Sequence, residues 1–141
     1  MNKDFKKLEK NLGYSFQKKE TLVKALTHVS KSKENNEVFE FLGDSVLNLI
    51  ISQILVEKFS MDDEGTLSLM RSKLVSRTTL NKIAKKLELD SFIIKGDSLA
   101  GQETPENILG NSLEAIFGAI YKESGLELSL IHISEPTRPL D

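Results

Sequence analysis

A chain of 141 residues, 39% hydrophobic and 28% charged, has the size and balance of one globular domain with its own core. The absence of cysteine excludes disulfides, thiolate zinc sites and cysteine nucleophiles, and suits a reducing compartment. A net charge of −2 lacks the basic excess usual in nucleic-acid binders, although that objection weakens wherever acids hold cations.

No apolar run approaches the roughly 18 residues of a membrane span. The N-terminal Met1-Asn2-Lys3-Asp4-Phe5-Lys6-Lys7 leads into no apolar signal region, so a cytoplasmic protein without a membrane partner is expected. Phe5, Leu8 and Leu12 predict a first helix ended by Gly13, followed by a turn that buries an aromatic of Tyr14-Ser15-Phe16. A second helix is expected over Lys19–His28, then a polar loop over 30–36. The stretch from Asn36 to Phe59 is the most apolar of the chain and predicts a long, buried central helix. Helical spacing continues at Leu67, Met70 and Leu74, and again over Thr78–Leu87 behind a Ser76 N-cap. Phe92-Ile93-Ile94 is a short apolar link, and Gly96 to Glu106 a polar loop. A last helix opens at Pro105 or Glu106, turns Ile108, Leu109, Leu113, Ile116, Phe117 and Ile120 inward, and is capped by Gly125. The class is therefore all-α, a helical bundle.

The central helix carries Glu37, Glu40 and Asp44 among apolar neighbours. At ~100° per residue these carboxylates fall within roughly 60° of one another, on one helix face. Acids clustered on a buried helix are costly without a cation or hydrogen bonds. The last helix adds Asn111 and Glu114, three apart, and acid-bearing faces on two bundled helices form a recurrent metal-site design. Oxygen ligands alone point to Mg²⁺, with Mn²⁺ as a substitute, rather than to zinc. A solvated acidic stripe is the competing explanation, and the apolar surroundings count against it.

Glu37-Val38-Phe39-Glu40-Phe41-Leu42-Gly43-Asp44-Ser45-Val46-Leu47 resembles the signature of the ribonuclease III family. Ala25-Leu26-Thr27-His28, Asp63-Glu64-Gly65 and Gly110-Asn111-Ser112-Leu113-Glu114-Ala115 follow in that family's order, so the similarity runs from about Phe5 to Gly125. The resemblance implies a helical nuclease domain over residues 1–127 that cuts double-stranded RNA. Catalysis would fall to Asp44 and Glu114, with Glu40, Asp44, Asn111 and Glu114 on catalytic Mg²⁺. It places Glu37 and Glu64 among cleft acids near a dimer interface, and turns Phe41 toward a second subunit of a homodimer. It also implies 5′-phosphate and 3′-hydroxyl ends and a part in processing ribosomal and messenger precursors. Asn111 departs from the family's Asp, keeping a carbonyl oxygen but losing a charge. Lys31, Lys33, Arg71, Lys73 and Arg77 are candidate phosphate contacts, since duplex RNA is recognised by shape through phosphates and 2′-hydroxyls.

Leu128-Ser129-Leu130-Ile131-His132-Ile133-Ser134-Glu135-Pro136-Thr137-Arg138 equals an in-frame translation of a transposase-based sequencing-library adaptor. This stretch shows neither the helical pattern nor the polarity expected of the family there, and residues 128–141 are accordingly expected to replace the native C-terminal part, including the family's double-stranded-RNA-binding domain. Two rival readings stand beside the nuclease. Gly96-Asp97-Ser98-Leu99 spells the motif of a serine esterase, which would need a strand before the serine and a late histidine, here His132. The other is a catalytically weakened domain that binds structured RNA as a scaffold, with Asn111 as the first lost acid.

Overall fold

The computed structural model describes the backbone of residues 4–137 and the side chains of residues 4–125. Within them the elements are α1 (Phe5–Leu12), α2 (Lys19–Leu26), α3 (Glu37–Lys58), α4 (Glu64–Leu74), α5 (Arg77–Lys86) and α6 (Glu106–Thr137). Short 3₁₀ turns lie at Leu89–Ser91 and Asp97–Leu99, and no strand occurs among the described residues.

The predicted starts and stops are local and hold. Asp4 accepts from the Lys6 amide at the head of α1, and Gly13, at φ 74°, closes it by donating to the carbonyls of Glu9 and Lys10. Ser76 caps α5 by accepting from the Thr79 amide. Helix α2 stops at Leu26, short of the expected His28. The backbone there is drawn into a single parallel bridge, in which His28 donates to the Ile94 carbonyl and Ile94 to that of Leu26, each at 2.9 Å. The apolar link at 92–94 is thus the partner that ends α2.

The core is the contact of α3 with α6, with α2 and α5 packed on α6. Phe39, Val46, Leu47, Ile50, Ile51 and Leu55 of α3 meet Leu109, Leu113, Ile116, Phe117 and Ile120 of α6, all buried. At the crossing the helices touch backbone to backbone. A β-carbon on Gly43 would collide with the Glu114 carbonyl, and one on Gly118 with the Phe39 carbonyl. Only glycine permits so close an approach at both positions.

Two expectations for α3 are corrected. It is not buried all round: Val38 is 71% and Phe41 79% exposed, and Leu49 and Val56 are exposed too. Among the described residues no element covers that face. Nor does the chain lack a span-length apolar segment. At 22 residues, with an 18-residue window of mean hydropathy 1.5, α3 is long and apolar enough to cross a bilayer by length and composition. Its packing against α6 makes it the core helix of the bundle.

At the far end of α6, Glu123 clips the N-terminal part of the chain in place. Its carboxylate accepts from the amides of Gln17 (3.0 Å) and Lys18 (3.1 Å) and from the Tyr14 hydroxyl. Burial alone would raise this carboxyl, but those donors outweigh it and hold Glu123 below the usual range. Burial and the Glu123 bond push the Tyr14 hydroxyl up to about 12. Gly125 (φ 82°, ψ 178°) breaks α6 instead of ending it, and the backbone resumes its helix to Thr137. The backbone at 128–137 is thus helical although the sequence there carries no helical pattern. Backbone hydrogen bonds within the segment suffice for a helix even where no amphipathic period marks one. Residues 138–141 lie outside the described residues.

Candidate metal centre at the crossing of α3 and α6

The start of α3 is anchored before any acid appears. Asn36 is buried, its side-chain amide donating to the Ala25 carbonyl at 3.1 Å and its backbone amide to the Thr27 carbonyl at 3.0 Å. Asn35 Oδ1 accepts from the Glu37 amide, one of the orphan donors of the first turn. Glu37 and Glu40 lie in that turn, where the helix dipole favours negative charge.

From this anchored turn, Glu37, Glu40, Phe41 and Asp44 face across a cavity of about 410 Å³ to Asn111 and Glu114 of α6, with Arg77 of α5 on the third side. The predicted set of Glu40, Asp44, Asn111 and Glu114 is thus brought together, although α3 and α6 lie in opposite halves of the chain. Glu37 joins them at the rim. Glu64 does not: it is exposed at the head of α4, its carboxylate accepting from Ser68 Oγ at 3.1 Å, and it is not among the residues lining the cavity. Phe41 lines the same cavity while most of its ring faces outward.

Electrostatics single out Glu114. Burial, then the hydrogen bond and charge of Asp44, then the charge of Glu40, push its carboxyl up to about 8, with Arg77 opposing. Burial, followed by the charge of Glu37, also raises Glu40. Glu114 is thus the carboxyl of this site that most favours its protonated form, because it is buried beside Asp44 and Glu40. A hard divalent cation relieves the repulsion among these acids, and the donors present, carboxylates and a carboxamide, are of the oxygen type such ions take. The donor chemistry therefore fits the group, although among the described residues no three His, Cys, Asp or Glu side chains are already drawn into a closed ligand cluster.

Of the five basic residues expected near phosphate, Arg77 alone lines the cavity. Arg71 instead donates to Ser52 Oγ at 2.8 Å, and Lys73 borders a separate apolar hollow with Ile54, Phe59 and Met70. Lys31 and Lys33 are exposed on the loop before α3. Sequence reasoning gave Arg77 no special place. Its signal was a base directly after a helix cap, where cations are otherwise disfavoured. The esterase reading fails on Gly96–Leu99, which is a loop and 3₁₀ turn with no strand before Ser98.

Comparison with known proteins bears on the same arrangement. The family model described as ribonuclease-III-like matches residues 18–134. Ribonuclease 3 of Francisella tularensis subsp. novicida is 49% identical over 113 residues, 80% of this chain and 49% of that protein, so the chain spans about half the length of the curated relatives it matches. The nuclease domain of ribonuclease III from Campylobacter jejuni, in a crystal structure at 2.2 Å resolution, superposes with a TM-score of 0.91 at 40% identity, over 99% of this chain and 97% of that one. A second structure of that domain, concerned with flexibility in its dimer-forming region, gives 0.91 at 41% identity, covering 96% and 97%. The helical bundle that packs α3 against α6 is thus the fold of a nuclease domain, and the chain belongs to the ribonuclease-III-like family.

Proposed function

We propose that this domain is an endoribonuclease that hydrolyses phosphodiester bonds of double-stranded RNA with Mg²⁺, or Mn²⁺ in its place. The observation that carries the reading is the convergence of Glu40 and Asp44 on α3 with Asn111 and Glu114 on α6 around one open cavity. Glu40, Asp44 and Glu114 would hold the metal, and Asn111 lines the same cavity. When bound, two such ions supply an activated water and stabilise the leaving oxygen. The protein's part is to hold these carboxylates at the crossing before substrate arrives and to release the proton that burial favours on Glu114. Opening of the bond would leave 5′-phosphate and 3′-hydroxyl ends. Two such centres in a homodimer would cut opposite strands, and Val38 and Phe41 present an uncovered apolar face for a second copy. Precursors of ribosomal and messenger RNA are the proposed substrates, and the cytoplasm the proposed location.

The test is incubation with a long RNA duplex and Mg²⁺. Cleavage is expected from the native chain, and Asp44→Asn or Glu114→Gln should lower it roughly a hundredfold or more with helicity retained. Binding without cutting, in Mn²⁺ as well, would instead make the domain an RNA-binding scaffold.

A further inference from the structure

Arg77 holds an unusual position for a cation. It is the first residue of α5, directly after the Ser76 cap, where the positive end of the helix dipole disfavours it. It is also the single base among the residues that line the acidic cavity. Its Nη1 donates to Asn111 Oδ1 at 3.2 Å and to the Asn107 carbonyl at 3.5 Å. Oδ1 is the atom through which a carboxamide ligates a hard cation. A guanidinium bonded to that oxygen engages one of its two lone pairs and sets a permanent positive charge beside it, which repels a divalent ion.

We infer that Arg77 is a positioning residue that ties residue 111 to α5 and withdraws it from the metal centre. Glu40, Asp44 and Glu114 are then the working ligands, with the guanidinium as a fixed counter-cation beside them. This assignment rests on the metal-dependent reading above. It also changes what Asn111→Asp does in this chain: a carboxylate at 111 pairs with the Arg77 fork before it meets a metal. The two positions are therefore coupled, and their effects on metal affinity do not add.

Mn²⁺ titration of the RNA-free chain by calorimetry tests this in the native protein, Arg77→Gln, Asn111→Asp and the double variant. Arg77→Gln should bind Mn²⁺ about three- to tenfold more tightly, because a nearby cation is gone. Asn111→Asp alone should stay within about twofold of the native chain, while the double variant gains more than the product of the two single changes. Arg77→Lys keeps the charge and loses the planar fork, so it should fall between the native chain and Arg77→Gln. Because Arg77 is exposed, the variants should keep the native metal-free melting curve to within a few degrees. Unchanged affinity in Arg77→Gln, or a tenfold gain from Asn111→Asp alone with an additive cycle, would overturn the assignment and leave the metal reading intact. A native chain that takes up no Mn²⁺ would overturn both.

Discussion

Glu114 binds a proton in the folded chain over a range where an unfolded glutamate has lost it. Its carboxyl stands at about 8 against an ordinary 4.5, by burial first and by Asp44 and Glu40 after it. Between those values the folded state carries more protons than the unfolded one, so stability falls as pH rises from 4.5 toward 8 and levels off above. Melting temperatures in EDTA should decline across that window, and those of Glu114→Gln should decline less. Added Mg²⁺ displaces the proton, so its stabilising effect should grow with pH over the same interval. A Glu114→Gln chain with the native slope would assign the dependence to other groups.

The helix crossing that sets Glu114 against Asp44 depends on two missing side chains. Gly118→Ala places a methyl group on the Phe39 carbonyl and wedges α3 from α6. A loss of about 1–3 kcal/mol in denaturant unfolding is expected, together with a weakened thermal response to Mg²⁺. Gly65→Ala is the control, since a β-carbon there meets only the Asp63 carboxylate at 3.7 Å; it should melt with the native chain. Helices were legible in the sequence because their signals are local: Gly13, Ser76 and the inward spacing of Leu109, Leu113 and Ile116 each act within a turn or two. The α2 stop at Leu26 was not legible, because its cause is Ile94, far along the chain. The acid set on α3 and α6 was legible by spacing and resemblance. Arg77 was not singled out, since its place at the cavity depends on how α5 packs on α6. Glu64 stayed outside for the same reason, placed by the fold at the head of α4.

Periodicity also could not tell an apolar face buried within one chain from one kept for another, and at the scale of the molecule that face of α3 remains open. Phe41→Asp should lower self-association at least tenfold in sedimentation equilibrium while leaving helicity unchanged, if a second copy covers this face. A sedimentation profile identical to the native one would remove Phe41 from the interface. The glycine crossing has a kinetic side as well. Asp44 and Glu114 come from opposite halves of the chain, and the collision-free approach of Gly43 and Gly118 is available only once α3 and α6 have docked. Chain closure over that distance is costly and is not repaid until the docking is made. If a cation binds only the docked crossing, it should slow unfolding and leave the refolding rate unchanged, as refolding kinetics with and without Mg²⁺ would show.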